Sequence, residues 1–199
     1  MIAVITQIVK NLIEDESSVK FYVEETSIDD NAIGVIVTAY ADAKNIDKIK
    51  GKNDAVETAI RTILKNCQCE DGKRYFFILG DATKISSKEK LYEDNVSHKK
   101  DVVELVKAIV KSLVIKKDEV EFNVEEEKFK KGTAGATIAI IPSAIDMGKV
   151  IGRNGAVVSA IRNIVKNCYS NKDKNYNIKI DVLQKLRSED CLNSESTKS

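Results

Sequence analysis

The sequence predicts an α+β fold built from two copies of one unit, each a three-stranded sheet with helices packed on one face. The first observation behind this is an internal repeat: residues 1–80 lie over residues 102–181 without a gap, and 25 of the 80 positions are identical. The second is that helical and alternating patterns are mixed along each copy. A register kept over the whole unit indicates a duplicated domain, because a solenoid would show more and shorter copies.

The first half of the unit is clearest in the second copy. Residues 102–114 place apolar side chains at the spacing of an amphipathic helix. EVEFNVEEEKF then alternates apolar and polar residues, which predicts a strand with one solvated face. KKGT predicts a turn, and GATIAII predicts a second, more apolar strand. A β-hairpin therefore follows the first helix.

The rest of the unit is read in the same way. Pro142 stands where a helix can begin, because its fixed φ and missing N–H are tolerated in a first turn. SAIDMGKVI predicts a short helix that stops at Gly152, AVVSAIRNIVKNC predicts a longer one, and NYNIKIDVL predicts a closing strand. The expected order is helix, strand, strand, helix, glycine loop, helix and strand in both copies.

These patterns divide the chain into four parts. We expect one domain at residues 1–80, a polar linker at 81–101 and a second domain at 102–186. The remaining residues, 187–199, are expected to form a disordered tail.

Composition excludes several classes of function. Charges are nearly balanced, with 32 Lys and Arg against 31 Asp and Glu. No apolar run approaches the roughly 18 residues needed to span a bilayer, and the N-terminal residues do not resemble a secretory signal. We therefore expect a cytoplasmic protein without a membrane segment. The sequence does not show the ligand spacing of a zinc site, because its candidate ligands are too scattered: Cys67, Cys69, Cys168, Cys191 and His98. No catalytic set, metal site or cofactor motif is found, so an enzyme is not expected.

The most informative motif is Gly-Arg-Asn-Gly at residues 152–155, between two predicted helices. Two glycines three apart permit positive φ and let the backbone approach another molecule closely. The loop opens the next helix, whose free N–H groups and positive dipole end favour a phosphate. Arg153 adds a cation at the tip and Lys149 adds another before it. The pattern predicts a clamp for a phosphate backbone.

In these residues the sequence resembles the KH domains, whose G-x-x-G loop clamps about four nucleotides of single-stranded nucleic acid. The order of elements resembles the bacterial, type II arrangement, and DMGKVIGRNGAVVSAIRNIV is similar to small bacterial KH proteins of the KhpA type. The resemblance covers about 80 residues of the second copy and extends to the first by internal homology. It implies a tandem pair of type II KH-like domains that binds RNA.

The resemblance also implies the site residues. RNA would be bound by Lys149, Val150, Ile151, Gly152, Arg153, Asn154 and Gly155. Val150 and Ile151 would support an apolar groove for bases. Part of the floor of this groove would come from the second strand, from Ile138 and Ile140 or their neighbours. The alternative is that these residues belong to the core.

The first copy departs from this pattern. Its loop is Gly-Lys-Asn-Asp, in which Asp54 replaces the last glycine and brings a carboxylate to the phosphate position. Asp54 would alternatively cap the next helix. Weaker RNA binding is expected here, from residues that share the loop and its basic flank: Lys48, Lys50, Gly51, Lys52 and Asn53.

The two copies also differ in net charge. Residues 1–80 hold 10 Lys and Arg against 13 Asp and Glu, whereas residues 102–181 hold 14 against 10. The basic copy is the one with the complete loop, which favours a non-enzymatic protein that binds single-stranded RNA through its second domain. Single-stranded DNA is left open as a ligand. The alternative is a scaffold in which the first domain forms a homodimer or docks a protein partner, using an exposed strand at residues 74–80.

Overall fold

The computed structural model of the chain describes residues 1–29, 32–69, 71–85, 91–92, 100–128, 134–169 and 174–181. These residues form an α+β fold, as the sequence predicts. The first elements in chain order are α1 (Ile2–Leu12), β1 (Lys20–Asp29), β2 (Ala32–Ala41), α2 (Ala43–Lys50), α3 (Ala55–Asn66), β3 (Arg74–Asp81) and β4 (Leu91–Tyr92). They are followed by α4 (Val102–Leu113), β5 (Glu121–Lys128), β6 (Ala134–Ile141), α5 (Met147–Ile151), α6 (Ala156–Asn167) and β7 (Asn175–Ile180).

The N-terminal unit, residues 1–80, is a sheet covered on one face by helices. Strands β1 and β2 form an antiparallel hairpin, and β3 returns parallel to β2 because α2 and α3 carry the chain back across the sheet. Ile5, Ile8 and Leu12 of α1 are fully or almost fully buried, as the helical spacing of apolar residues requires.

The C-terminal unit, residues 102–181, has the same order of elements. Strands β5 and β6 are antiparallel, and β6 and β7 are parallel. Ile138 and Ile140 are wholly buried in the core. Of the two alternatives for these side chains, the structure supports the core, because they lie on the face of the sheet that packs against the helices.

The N-terminal sheet has one strand more than predicted. Strand β4 pairs antiparallel with β1 at Phe21 and Tyr22, so the sheet has the order β3-β2-β1-β4, while the C-terminal sheet has three strands in the order β5-β6-β7. The extra strand comes from the segment predicted as a linker, in which Leu91 and Tyr92 pair with β1. Residues 86–90 and 93–99, with His98, and residues 182–199, with Cys191, lie outside the described residues.

Helix α5 begins later than predicted, at Met147 instead of directly after Pro142. Residues 144–146 form a turn, and the wholly buried side chain of Asp146 bonds to the backbone that follows α4. In the N-terminal unit Asp42 caps the backbone N–H of Asn45 at 2.8 Å, and α2 begins at once. The two units therefore differ in the approach to the loop.

The two units share one hydrophobic core. Helix α3 packs against α6 and α1 packs against α4, so equivalent elements meet across the contact. Cys168 and Tyr169, which follow the end of α6, line the same cavity as Gly51, which precedes the start of α3. The end of α6 therefore lies near the start of α3. Helices α3 and α6 are therefore antiparallel, with the two glycine loops at opposite ends of the pair. The backbone N–H of Gln68 donates to the carbonyl of Ser112 at 2.8 Å and joins the units directly.

Two structural features are absent from the described residues. None of their helices is long and apolar enough to cross a membrane. In the same part of the chain, no group of three or more His, Cys, Asp and Glu side chains is placed to hold a metal ion.

Candidate functional site

The second loop, residues 152–155, has a backbone that depends on glycine. Gly152 has φ 74° and ψ 166°, and Gly155 has φ 74° and ψ 15°. Asn154 between them also has positive φ, at 54°. L-residues rarely adopt these conformations, and the region of Gly152 is essentially restricted to glycine.

Gly152 is also required by packing. A Cβ atom at this position would lie 2.5 Å from Cγ2 of Val157 and 2.8 Å from its backbone N. At Gly155 the nearest side-chain atom would be 3.9 Å away, so only its dihedral angles need glycine. The loop is thus held directly against the first turn of α6.

The start of α6 is the polar end of the site. No side chain caps the helix at Gly155, and no acidic side chain lies in its first turn. The N–H of Ala156 bonds to the carbonyl of Arg153, while the positive dipole end of the helix has no anionic partner in that turn. Arg153 and Asn154 are exposed at the tip, Ile151 is half-buried and Val150 is wholly buried. This arrangement offers a guanidinium, an amide and backbone donors to an anion, with Val150 packed behind them.

Lys149 is held by an acid that the sequence reasoning missed. Its ammonium lies 2.9 Å from Oδ1 of Asp146, whose carboxylate also accepts the backbone N–H groups of Ile115 at 3.0 Å and Lys116 at 2.9 Å. The Ser143 hydroxyl lies 3.3 Å from Oδ2. In the sequence this ion pair is signalled only by the spacing of Asp146 and Lys149, which are three residues apart. That spacing brings two side chains together on one helical turn.

The carboxylate of Asp146 remains ionised although it is buried. Burial acts to raise its pKa, but the N–H groups of Ile115 and Lys116 and the Lys149 ammonium stabilise the charged form more strongly. The result is a pKa lowered to about 2. At neutral pH the charged carboxylate of Asp146 therefore links the backbone after α4 to Lys149 in the helix before the second loop.

The first loop, residues 51–54, has nearly the same backbone. Gly51 has φ 71° and ψ 175°, and an added Cβ there would collide with Cγ2 of Val56. Asn53 and Asp54 both have φ 56°. The side chain of Asp54 makes no capping hydrogen bond, so the expectation that it caps α3 is wrong. Asp54 instead occupies the left-handed conformation that Gly155 has in the second loop.

The surroundings of the first loop come partly from the other unit. A surface cavity of about 410 Å³ lies beside Asp47, Lys48 and Gly51, and residues 166–169 of the other unit also line it. The ammonium groups of Lys48 and Lys100 each lie 5.7 Å from the centre of the Tyr169 ring. Lys50 is half-buried, whereas Lys52 and Asn53 are exposed at the tip.

Two of the described thiols, those of Cys67 and Cys168, do not resemble reactive cysteines. The sulfur atoms of Cys67 and Cys69 lie 2.9 Å apart, and burial together with this contact raises the pKa of Cys67 to about 12. Burial raises the pKa of Cys168 to about 12 as well. Both stay protonated at neutral pH, which disfavours nucleophilic or metal-binding chemistry.

Comparison with known proteins gives a consistent result for the C-terminal unit. A family model described as KhpA/KhpB, KH domain, matches residues 103–180. The RNA-binding protein KhpA of Borreliella burgdorferi is 37% identical over 78 residues, which make up 39% of this chain and 89% of that protein. The family match falls on the part of the chain that carries the second loop.

A solved structure is more loosely similar. It is the crystal structure of Era in complex with MgGDPNP and nucleotides 1506-1542 of 16S ribosomal RNA, at 11% identity and a TM-score of 0.35 over 89% of each chain. A similarity at that level adds no argument about this protein.

Replacing Gly152 with alanine should destabilise the protein strongly. The backbone conformation and the collision with Val157 together should lower the free energy of unfolding by about 3 kcal/mol. Gly155→Ala is the matched control and should cost about 1 kcal/mol, since only its dihedral angles are unfavourable. Chemical denaturation measures both, and equal losses would contradict the packing role of Gly152.

Replacing Asp146 with asparagine should remove one source of pH dependence. Because its folded pKa lies below the unfolded value, the carboxylate stabilises the fold above about pH 4, and this stabilisation is lost as the pH falls toward 2. The wild type should lose about 2 kcal/mol from this group between pH 5 and pH 2, and the variant should lack that loss.

The control for this experiment is Asp118→Asn, which removes an exposed carboxylate. It should leave the acid limb of the denaturation profile unchanged. An Asp146→Asn profile parallel to that of the wild type would show that the buried carboxylate does not stabilise the fold.

Proposed function

The chain belongs to the KhpA/KhpB family of KH domains, and from that premise we propose that it is a non-enzymatic protein that binds single-stranded RNA through its second loop. The observation that carries the proposal is the backbone of residues 152–155, which is fixed against α6 and presents an uncapped helix start. Backbone donors at a helix N-terminus suit a phosphate, and the family match lies on this unit.

Each residue of the second loop has a distinct role in this proposal. Gly152 and Gly155 permit the close approach of a phosphate to the backbone, and Arg153 and Asn154 supply a cation and an amide at the exposed tip. Ile151 contributes the apolar flank for a base. Lys149 supplies charge from a fixed position because Asp146 holds it, and Val150 supports the loop from within the core.

We propose that the N-terminal unit is a second, degenerate KH domain. The support is the matching order of elements and the matching backbone of the first loop, with Gly51 packed on Val56 as Gly152 packs on Val157. The chain then consists of tandem domains at residues 1–80 and 102–186, joined by residues 81–101.

The first loop would bind RNA more weakly. Asp54 and Asp47 bring carboxylates to it, which repel phosphate, while Lys48, Lys50 and Lys52 attract it. Lys166 of the other unit lines the adjoining cavity and adds a further cation. The C-terminal unit would therefore provide most of the affinity, and the first loop would add to it by sharing one chain.

Reversing the charge at the tip of the second loop should abolish most RNA binding. We expect Arg153→Asp/Asn154→Asp to weaken binding of a mixed-sequence RNA of about 20 nucleotides at least tenfold, because charge-assisted contacts to phosphate are lost. Fluorescence anisotropy at two salt concentrations is the measurement. Wild-type binding should also fall steeply with salt.

The matched control is Asn123→Asp/Lys128→Asp, which changes the net charge equally on exposed positions of β5. It should weaken binding much less. An equal effect of both double variants, or no RNA binding by the wild type, would refute the clamp. A single-stranded DNA of the same sequence tests whether the sugar is distinguished.

Restoring glycine to the first loop should strengthen its binding. In the Arg153→Asp/Asn154→Asp background, Asp54→Gly should raise RNA affinity several-fold, because it removes a carboxylate from the phosphate position. Stability should change by less than about 1 kcal/mol, since relief of the positive φ is offset by a more flexible unfolded chain.

Asp54→Asn separates charge from backbone conformation in this experiment, because asparagine keeps the shape and tolerates positive φ. It should raise the affinity as much as glycine does. If neither variant binds more tightly than its background, the first loop does not contact RNA.

A further inference from the structure

The two sheets differ on the face that points away from the helices. In the N-terminal unit this face carries aromatic and aliphatic side chains, namely Tyr22, Ile36, Tyr40, Phe76 and Ile78. Their counterparts in the C-terminal unit are Asn123, Thr137, Ile141, Asn177 and Lys179. The same order of elements thus forms with a largely polar outer face in one unit and an apolar one in the other.

The apolar face is open to solvent. Phe76 is 44% exposed and Ile78 is 43% exposed, although the alternate residue Phe77 is buried in the core. Because the C-terminal unit folds with Asn177 and Lys179 at the equivalent positions, the fold itself does not need apolar side chains there. Exposed apolar side chains such as Phe76 and Ile78, beyond what the fold needs, favour a binding site on this face.

Two glycines allow the aromatic rings to lie along the sheet. A Cβ atom added at Gly80 would be 2.5 Å from both Cδ1 and Cε1 of Tyr40, so the ring lies directly over this glycine. At Gly34 an added Cβ would be 3.2 Å from Cε2 of Phe76. The Tyr40 ring therefore lies against the sheet, and the edge of the Phe76 ring reaches Gly34 beside Ile28. Both rings are on the outer face, where bases can stack on them. We call Tyr40 and Phe76, with the sheet between them, the platform.

The edge of the platform is basic. A cavity of about 520 Å³ lies along β3 and includes Phe76 in its lining. Among the described residues, no carboxylate lines this cavity. Four cationic side chains do: Arg61, Lys65, Lys73 and Arg74. Arg61 pairs with Glu57 and Lys73 pairs with Glu25, whereas Lys65 and Arg74 make no ion pair with the described residues. We call this cavity the edge pocket.

We propose that the platform and the edge pocket form a second binding site for single-stranded RNA, separate from the glycine loops. Bases would stack on Tyr40 and Phe76, and the phosphates would follow the cations of the edge pocket. This goes beyond the proposed role of the loops and lies on a different face of the chain. Stacking tolerates any base, so little sequence preference is expected.

The chemistry favours a nucleic acid over a second copy of the chain. Two copies packed face to face would bring their edge cations, such as Arg74, toward one another. On the outer face, Glu24 accepts a hydrogen bond from the Tyr22 hydroxyl at 3.3 Å. A polyanion with flat apolar bases matches both the rings and the cationic rim.

The test removes the rings while keeping the apolar surface. Tyr40→Ile copies the residue at the equivalent position of the C-terminal unit, and Phe76→Leu keeps an aliphatic side chain. Each should weaken binding of a uridine oligomer of about 12 nucleotides by roughly tenfold in the Arg153→Asp/Asn154→Asp background. Fluorescence anisotropy measures the affinity, and thermal unfolding by circular dichroism confirms that the variants are folded.

The readouts separate this proposal from the proposed function of the loops. Photocrosslinking of the same oligomer, followed by mass spectrometry, should label peptides that contain Tyr40 or Phe76 even when the second loop is inactivated. Crosslinks confined to the loops, or ring variants that bind as tightly as their background, would overturn the platform. Sedimentation velocity gives a third outcome that would overturn it. If the wild type self-associates, Phe76→Asn abolishes the association and the uridine oligomer does not affect it, the face binds a second copy of the chain.

Discussion

The contact between the first glycine of each loop and a valine in the next helix is the constraint on which the candidate site depends. Gly152 packs on Val157, and Gly51 packs on Val56 in the same way. Because a side chain cannot fit between them, the loop backbone is fixed by the helix, and the helix in turn is fixed by the shared core. The exposed tip thus has a defined shape without any side-chain cap at the start of α6.

The same constraint allows the two units to diverge elsewhere. Once the glycine is in place, the last loop position accepts Gly155 or Asp54, since both adopt positive φ. The approach to the loop differs too: buried Asp146 joins α4 to Lys149, whereas the equivalent Asn45 donates to the Ser18 hydroxyl. The outer faces of the sheets have diverged further still, from Asn177 in one unit to Phe76 in the other. One fold therefore supports surfaces of different chemistry on a single chain.

Much of this could be predicted from the sequence, because hydrophobic period and glycine spacing are local signals. They predict the order of elements and the position of both loops. They do not predict β4, since the pairing of Leu91 and Tyr92 with β1 depends on where the chain passes after β3. They also fail at Asp54, where a residue suited to capping is placed in a left-handed conformation. The burial of Ile138 and Ile140 follows from which face of the sheet meets the helices, which alternation alone does not decide.

The antiparallel arrangement of α3 and α6 has a consequence for the geometry of any bound polymer. The loops stand at opposite ends of this helix pair, and equivalent elements meet across the contact, so the two units are related by an approximate half-turn. A nucleic acid strand has a chemical direction, from 5′ to 3′. For a strand that runs across the axis of the half-turn, two equivalent clamps accept that direction in opposite senses. A strand that engages both loops in the same manner must therefore reverse its course between them, as the two arms of a stem-loop or two separate strands do.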